Sequence, residues 1–466
     1  MYFNSNEKEH IIVIGGNVSG LAAASQARRN TPDAEITVLE SGNYISYGTC
    51  GLPYFISGII DDINKIFVYT PRFFEEERKI KILLNHKAIK LNPQKREIFV
   101  QTLESNLQKI LNYDKLVICS GAVPFDLGIE VSRLNNVFFF RNVEDTLRLK
   151  DFIGKNIPKK AVVVGAGSIG LLMAEALTKI GIKVTVVEKA QRIFSGFEDE
   201  ISTILQKKLI VEGIDLMLGT RIASALPDDN GLVKSISTNN EETLGMIETD
   251  LIILSAGIRA NTDFVKGTSI ELGKNGAIKT SPKFQTAYSN IYAAGDCACV
   301  KNIVTGKCDF IPTANNAAKT GRIAGDNITG GDIIFPGSAG TTVNQIFGFE
   351  IAKTGISFVE ALDLSYNAVK ITGNYSSHAK VIPGAQTITA TLIVDIKTRK
   401  IIGAQMIGKE GVAKRIDTFA TAITCQMTID DVYMLDLSYS PGTSTVWDPV
   451  NKICGQALLE LSKRRF

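Results

Sequence analysis

Two stretches of the chain repeat the same order of apolar and polar positions. The first has an apolar run at residues 11–14, then glycines, a helix-like segment, and a second apolar run at 37–39 that ends in an acid. The second has apolar runs at 161–164 and 184–187 around the same plan. Short apolar runs bounded by glycine predict buried parallel strands. The pattern therefore predicts two strand–turn–helix–strand units about 150 residues apart.

Each unit is followed by a later apolar strand that ends in small residues. These strands run from Lys115 to Ser120 and from Leu251 to Ser255. Beyond a helical run at 313–328 and a glycine-rich break, the chain alternates strand-like and helical segments. This order predicts an α/β protein with two doubly wound, Rossmann-like nucleotide-binding domains and a C-terminal α+β domain.

Composition narrows the class of protein. The 466 residues are 45% hydrophobic and 21% charged, which predicts folded cores rather than disorder. The net charge is +3 and its basic residues are scattered, so we expect no nucleic-acid partner. We also expect no membrane partner, because no apolar run reaches the roughly 18 residues that a membrane helix needs.

Cysteine and histidine usage points to the same kind of protein. The seven cysteines are scattered and odd in number, which does not indicate a disulfide framework, and the polar segment Met1 to His10 lacks the core of a signal peptide. We therefore expect a cytoplasmic protein. The three histidines show no metal-ligand spacing, so no metal site is predicted.

The two glycine turns are candidate dinucleotide sites, because glycine lets backbone N–H groups approach a pyrophosphate at a helix N-terminus. Glu40 follows the first glycine by 25 residues, and Glu188 follows its counterpart by 23. A carboxylate there can accept hydrogen bonds from both ribose hydroxyls and would repel a 2′-phosphate. Glu188 therefore favours NADH, although Lys189 and Arg192 keep NADPH open as an alternative. The loop residues concerned are Gly15, Gly16, Asn17, Ser19 and Gly20 in the first unit and Gly165, Gly167, Ser168, Ile169 and Gly170 in the second.

Together these features resemble the pyridine nucleotide-disulfide oxidoreductases over nearly the whole chain. The most specific segment, Thr286 to Asp296, resembles the family's second FAD motif, in which the aspartate binds the ribityl chain. The strand that ends at Ser120 resembles the one beside the flavin. The resemblance implies FAD contacts at Ser120, Gly121, Arg141, Gly295, Asp296 and Ala314, and an NAD contact at Gly257.

The resemblance also implies a domain order. An FAD-binding domain (residues 1–145 and 271–332) is expected to be interrupted by an NAD-binding domain (146–270). A C-terminal dimerisation domain (333–466) is expected to follow, and the protein is expected to be a homodimer.

Within the family, Cys50 resembles the catalytic cysteine of the single-cysteine branch. Phe55 and Ile45 stand where a second active-site cysteine would be, and no cysteine lies within five residues of Cys50. This branch includes coenzyme A-disulfide reductases, NADH-dependent persulfide reductases, and NADH oxidases and peroxidases. Val18 stands where the oxidases and peroxidases carry a histidine, which favours the reductases.

The C-terminal segment supports the coenzyme A-disulfide reductase subgroup. There Tyr439 matches a tyrosine that reaches the partner subunit's cysteine, so it is a predicted catalytic residue. Predicted substrate contacts fall on Gln26, Arg29 and Ser46. Other positions depart from the subgroup, namely Val381-Ile382, Ala318 and Trp447. The prediction is therefore a low-molecular-weight disulfide or persulfide rather than coenzyme A disulfide alone.

The expected chemistry passes a hydride from NADH to FAD and then electrons to a sulfur bond on Cys50. A helix that starts near Gly51-Leu52-Pro53 would stabilise a thiolate there. Two alternatives stay open: an NADH oxidase or peroxidase that uses a cysteine sulfenic acid, and a flavin-bound redox sensor or electron carrier to a protein partner. The other six cysteines are expected to be structural, with Cys454 the leading exception.

Overall fold

A five-stranded parallel sheet forms the centre of the first unit. The structure is a computed structural model and describes residues 8–125, 134–239 and 244–463. Strands and helices are numbered along the whole chain, and the order in this sheet is β18-β7-β1-β2-β3. Its strands are β1 (His10–Ile14), β2 (Glu35–Leu39), β3 (Lys81–Leu83), β7 (Lys115–Ile118) and β18 (Ile291–Ala293). Because both faces of β1 are covered, its last four residues are all buried.

Helices and small sheets complete this unit. The helices are α1 (Val18–Asn30), α2 (Leu52–Ile56), α3 (Pro71–Arg78) and α7 (Ala314–Asn327). The antiparallel additions are β4 (His86–Asn92), β5 (Glu97–Thr102), β6 (Gln108–Asn112), and the hairpin of β19 (Val300–Lys301) and β20 (Cys308–Asp309). The predicted helix at 313–328 is confirmed to within one residue at each end.

The second unit repeats the plan with the order β12-β11-β10-β16-β9. Its strands are β9 (Val137–Phe139), β10 (Lys160–Val164), β11 (Lys183–Val187), β12 (Asp215–Met217) and β16 (Leu251–Leu254). Its helices are α4 (Val143–Asn156), α5 (Ser168–Lys179) and α6 (Asp199–Val211), and a second antiparallel sheet holds β13 (Arg221–Pro227), β14 (Val233–Asn239) and β15 (Leu244–Glu248).

The two units are connected twice. Strand β8 (Ala122–Pro124) leads out of the first unit, and β17 (Ile258–Ala260) leads back to it. The two strands pair antiparallel, so the two connections between the units lie next to each other. Strand β9 pairs with β16 in the second sheet, although it precedes residue 146, where the second domain was predicted to begin. The predicted domain limits otherwise stay a prediction.

The C-terminal unit is an antiparallel sheet with helices, as the alternating pattern predicts. The strand order is β21-β22-β25-β24-β23. Its elements are β21 (Thr342–Ile346), β22 (Phe349–Gly355), α8 (Phe358–Asp363), β23 (Ala368–Ser376), β24 (Thr387–Asp395), β25 (Ile401–Gly408), α9 (Val412–Thr424), α10 (Ile429–Tyr433) and α11 (Pro449–Lys463). Within the described ranges, no helix is long and apolar enough to span a bilayer.

One hydrophobic cluster joins all three units. It contains Leu52 and Ile56 of α2, Leu171 of α5, and Ile346 and Ile407 of the C-terminal sheet, each at most 1% exposed. Because α2 contributes to a core shared by three units, the turn just before it is held at their junction.

Candidate active site

A cleft of about 520 Å³ opens at the carboxyl ends of the strands of the first sheet. Ligands bind at this edge in doubly wound folds. Six of the predicted FAD contacts line it: Gly15, Asn17, Glu40, Ser120, Gly121 and Arg141. The cleft thus gathers residues from three distant parts of the sequence around one dinucleotide-sized space.

The glycine turns of the two units have the same geometry. Gly15 and Gly165 adopt φ values of 110° and 102°, which side chains rarely tolerate. A Cβ on Gly20 would overlap the carbonyl oxygen of Gly15, and a Cβ on Gly170 would overlap that of Gly165. Both turns therefore depend on glycine for the close approach of strand and helix.

The acids predicted to bind ribose are held in matching ways. Glu40 accepts hydrogen bonds from the backbone N–H groups of Gly16 and Gly42, both at 2.7 Å. Glu188 accepts them from Ala166 at 2.7 Å and Ala190 at 2.8 Å. A carboxylate offers about four acceptor positions. Each acid is therefore fixed beside its glycine turn with acceptor capacity left for a ribose.

An unpaired polar atom of Asn17, in the cleft lining, indicates that the first cleft fits FAD. Asn17 precedes α1 and Thr313 precedes α7, and neither caps its helix with its side chain. Asn17 Oδ1 and Thr313 Oγ1 are buried and find no hydrogen-bond partner among the described residues. Buried polar atoms of this kind are normally satisfied. A polar cofactor in the cleft supplies partners beside Asn17, so the residues present fit a bound dinucleotide.

Helices α1 and α7 pack in close contact beside the first glycine turn. A Cβ on Gly321 would overlap Ser19, and one on Gly325 would overlap Ala23, so the backbones touch. Ser19 also packs against Gly295 and donates from Oγ to Cys119 Sγ at 3.3 Å. Ser19 and Gly295 thus bring the start of α1 against the turn that carries Asp296.

An ion pair crosses the cleft wall. Arg141 donates from Nη2 to Asp296 Oδ2 at 3.1 Å and from Nε to the carbonyl of Ala122 at 3.2 Å. Both charged side chains are about a quarter exposed or less. Ser120 donates to the carbonyl of Asn261 at 2.7 Å, which fastens the returning chain to the cleft. Ala314 is exposed at the first position of α7.

Cys50 lies on the short 3-10 turn Thr49–Gly51, next to the cleft residue Thr49. Its side chain is exposed and is not bonded to another cysteine. The predicted helix start is confirmed, because α2 begins at Leu52 with Pro53 in its first turn. Helix α2 has only five residues, so its position at the junction of the three units is the firmer structural feature.

The opposite end of α2 is also tied down. Lys150 of α4 donates from Nζ to the carbonyls of Phe55 at 3.3 Å and Ile56 at 3.0 Å. A cation at the carbonyl end of a helix is a favourable placement. Helix α2, which follows the turn that carries Cys50, is therefore held by core packing along its length and by Lys150 at its C-terminal end.

The second glycine turn has free space at one of its glycines. Ser168 and Ile169 begin α5, and a Cβ on Gly167 would meet nothing within 4 Å. Gly257 has a φ of 110°, and a Cβ there would lie 3.1 Å from the ring of Phe125. A nucleotide could therefore approach the second turn at Gly167 without a steric obstacle.

The predicted substrate residues occupy different settings. Gln26 is buried on α1 and donates to Asp326 Oδ1 at 3.2 Å, while Arg29 donates to Gln26 Oε1 at 3.0 Å. Ser46 has a φ of 55°, and its N–H donates to the carbonyl of Gly16 at 3.0 Å. Their contact with a substrate stays a prediction.

Tyr439 lies in a loop of the C-terminal unit and is 48% exposed. The loop is fastened by a buried network behind it. Arg415 donates to Asp448 at 3.0 Å and to the carbonyl of Ser377 at 3.0 Å, and Ser444 donates to Asp448 at 2.6 Å. The loop is therefore ordered while Tyr439 itself faces outward.

Several cleft residues were not predicted from the sequence. They are aromatic, amide or acidic residues brought in by tertiary structure: Tyr44, Tyr47, Phe139, Asn142, Glu144, Asp145, Asn261 and Phe264. Burial raises the pKa of Tyr47 well above its usual value, and the nearby carboxylates of Glu40 and Glu144 act in the same direction. Tyr47 therefore stays a neutral hydrogen-bond donor. Its position inside the segment before Cys50 was the one available signal.

The remaining cysteines divide into three groups. Cys119, Cys297 and Cys454 are buried, and burial raises the pKa of each thiol, that of Cys454 to about 12. Cys425 is exposed and free. Cys299 and Cys308 form a disulfide, which the sequence analysis did not predict. Their nine-residue separation across a hairpin gave no recognisable motif. No cluster of metal-binding side chains occurs in the part of the chain that the structure describes.

The fold and its two nucleotide sites define a flavin- and nicotinamide-dependent oxidoreductase with a separate C-terminal domain. The family model for the pyridine nucleotide-disulphide oxidoreductases matches residues 9–321, and the model for the dimerisation domain of that family matches residues 344–449. The chain belongs to this family. Its cofactors are FAD and NAD(P)H.

Curated relatives cover almost the full chain. The NAD(P)H sulfur oxidoreductase (CoA-dependent) of Pyrococcus abyssi is 33% identical over 95% of this chain and 97% of its own length. The NADH oxidase of Methanocaldococcus jannaschii is 32% identical over 97% of this chain and 99% of its length. The coenzyme A disulfide reductase of Staphylococcus haemolyticus is 30% identical over 95% and 98%.

Solved structures show the same arrangement. The reduced CoADR-RHD protein of Bacillus anthracis superposes with a TM-score of 0.93 at 32% identity, over 98% of this chain and 81% of that one. The NAD-dependent persulfide reductase of A. fulgidus gives a TM-score of 0.92 at 32% identity, over 97% and 84%. The predicted family and fold class are thereby confirmed.

Proposed function

We propose that this protein uses NADH to reduce a low-molecular-weight disulfide or persulfide at Cys50. The observation that carries the proposal is an exposed, unbridged Cys50 on a braced turn beside the FAD cleft. Relatives named for coenzyme A disulfide and persulfide reduction support this substrate class. FAD, when bound, takes a hydride from NADH and passes the electrons on to sulfur.

The chain's own residues hold the cofactor and present the thiol. Glu40 and the N-terminus of α1 would bind the adenosine and pyrophosphate parts of FAD. Arg141 and Asp296 would contact it along the cleft wall. The Cys50 thiolate then attacks the substrate's sulfur–sulfur bond, which forms a mixed disulfide and releases one thiolate.

A second subunit completes the proposed site. The family's dimerisation domain and the exposed Tyr439 support a homodimer in which Tyr439 reaches the partner's Cys50. The Arg415–Asp448 pair, whose side chains are 10% and 9% exposed, keeps the Tyr439 loop in place. The hydroxyl of Tyr439 is suited to protonate or orient a leaving thiolate.

The second unit supports NADH as the preferred donor. Glu188 lies beside its glycine turn, where its charge would repel a 2′-phosphate. Arg192, the basic residue considered for NADPH, pairs with Asp199 and donates to the carbonyl of Ser195. Its guanidinium is therefore already engaged. We also propose that the protein works in the cytoplasm.

The test compares acceptors in matched variants. Cys50→Ser should lower NADH-dependent reduction of coenzyme A disulfide and of polysulfide on the order of 10³-fold or more, with FAD still bound. Cys425→Ser, which removes the other exposed free thiol, should leave both rates unchanged. Retained turnover in Cys50→Ser would overturn the proposal, and selective turnover of hydrogen peroxide by the native enzyme would favour the oxidase and peroxidase alternative.

A further inference from the structure

A second pair of sulfur atoms lies outside the Cys50 site. Cys299 and Cys308 are joined across the hairpin of β19 and β20. Cys299 is buried at 4% exposure, whereas Cys308 is exposed. Solvent therefore reaches the residue that carries Cys308 Sγ. An attack on Cys308 Sγ would release the thiolate of Cys299 inside the protein.

The bridge lies between two segments that neighbour the FAD cleft. Cys299 follows the 3-10 turn Gly295–Cys297, whose Asp296 pairs with Arg141 in the cleft wall. Cys308 precedes Thr313, the residue before α7 whose hydroxyl oxygen is buried without a partner. The disulfide closes the loop between these two segments. It therefore restrains both of them at once.

The charges around Cys308 favour an anionic reactant. Lys301 lies opposite Cys308 in the hairpin register, and Lys307 precedes it; both are exposed. The carboxylate of Asp309 is paired with Lys274 at 3.2 Å. Thiolates and persulfides carry negative charge, so they are drawn to the sulfur that is open to attack.

We propose that Cys299 and Cys308 form a second thiol–disulfide exchange site, which low-molecular-weight thiols reduce and their disulfides reoxidise. A thiolate attacks Cys308 Sγ, forms a mixed disulfide there and releases the thiolate of Cys299. A second thiolate attacks the mixed disulfide and leaves as a small disulfide, so two thiols are oxidised and the pair is reduced. The oxidised pair holds the two segments beside the FAD cleft in place, and reduction of the pair lets them move, so that FAD is released faster.

This proposal stands apart from the role of Cys50, because it needs neither NADH nor the Cys50 thiol. It also explains how a bridge is compatible with a cytoplasmic protein. Cytosolic disulfides in mesophiles are usually transient and either catalytic or redox-sensing. A reversible pair that responds to the ratio of small thiol to small disulfide belongs to that class.

The experiment titrates the full-length holoenzyme with mixtures of reduced and oxidised glutathione. Alkylation followed by peptide mass analysis reports the state of each cysteine, and flavin fluorescence reports FAD release. Wild type should show Cys299 and Cys308 changing together, with FAD release about fivefold or more faster in the reduced form. Cys308→Ser should show the fast release in every mixture, and Cys425→Ser should behave like wild type.

Three results would overturn the proposal. One is a pair that stays reduced in fully oxidised glutathione. Another is a pair that stays bridged in excess reduced glutathione until the protein unfolds. The third is equal FAD release from the bridged and reduced forms of wild type. Repeating the titration in Cys50→Ser separates this proposal from the proposed function, because the Cys299–Cys308 behaviour should not change there.

Discussion

The two nucleotide-binding units share a strand order but differ in what closes over their glycine turns. In both sheets the strand that leads into the glycine turn lies at the centre, β1 in one and β10 in the other. The later strand that ends in small residues lies beside it, β7 in one sheet and β16 in the other. The first unit adds β18 and α7 from a later part of the chain, and α7 packs directly on α1. The second takes its fifth strand, β9, from an earlier part.

The surroundings of the two turns also differ. The first turn borders a cleft of about 520 Å³, whereas in the second a Cβ on Gly167 would meet nothing within 4 Å. We therefore expect the first unit to hold its nucleotide more firmly than the second.

The largest effect should come from the close contact beneath the first turn. Gly20→Ala places a Cβ against the Gly15 carbonyl and should destabilise the protein by about 3 kcal/mol or more, with loss of FAD. Gly167→Ala is a control for the glycine-to-alanine change itself, because its Cβ would enter open space. Thermal melting and bound-FAD content measure both. Equal FAD loss in the two variants would contradict the comparison.

We expect Glu188 to contribute to NADH binding and Glu40 to contribute to FAD binding. Glu188→Gln should lower kcat/KM for NADH roughly 10- to 100-fold and leave FAD in place, because one hydrogen bond to a charged group is worth about 1.5–3 kcal/mol. Glu40→Gln should weaken FAD binding by a similar factor and leave the KM for NADH nearly unchanged. Steady-state kinetics and FAD dissociation measure the two effects, and an exchange of the two phenotypes would show that the assignment is wrong.

Asn17 should distinguish the holoenzyme from the apoprotein. Its Oδ1 atom is buried and unpaired in the described structure, so Asn17→Ala should leave apoprotein stability unchanged or raise it by about 1 kcal/mol. The same substitution should weaken FAD binding several-fold. Calorimetry of both forms provides the measurement. A loss of apoprotein stability in Asn17→Ala would mean that the Asn17 side chain already makes a stabilising contact without the cofactor.

The smallest effect concerns the buried thiol at the end of β7. Burial raises the pKa of Cys119 in the folded state. At neutral pH the thiol is protonated in both states and does not lower the free energy of unfolding. Above about pH 8.5, the usual thiol value, only the unfolded state releases the proton, so the free energy of unfolding falls as pH rises. Wild type should therefore lose up to about 1.4 kcal/mol per pH unit more than Cys119→Ser in alkaline solution. Denaturation between neutral and alkaline pH tests this, and identical slopes would refute it. Ser255 occupies the corresponding position in the second unit.

The local parts of the fold could be predicted because their signals are short-range. The apolar runs before Gly15 and Gly165 became β1 and β10, and Glu40 and Glu188 lie beside the turns they follow. A glycine that the backbone requires, and an acid at a strand end, both leave marks within about 25 residues of sequence.

The rest depends on contacts between distant segments. Nothing in the local pattern of Val137–Phe139 shows that β9 pairs with β16, and nothing near Phe264 shows that it lines the cleft. The pairing of Cys299 with Cys308 likewise depends on a hairpin whose strands have only two residues each. Such features are decided by tertiary packing.

The central claim, that a solitary Cys50 takes electrons from the flavin, is tested most directly by counting reducing equivalents. The holoenzyme and its Cys50→Ser variant are each treated with a small disulfide, desalted and titrated anaerobically with NADH. We predict that the native protein takes up about two NADH per subunit and releases one small thiol, whereas Cys50→Ser takes up about one NADH and releases none. The same uptake in both proteins, with no thiol released, would contradict the account.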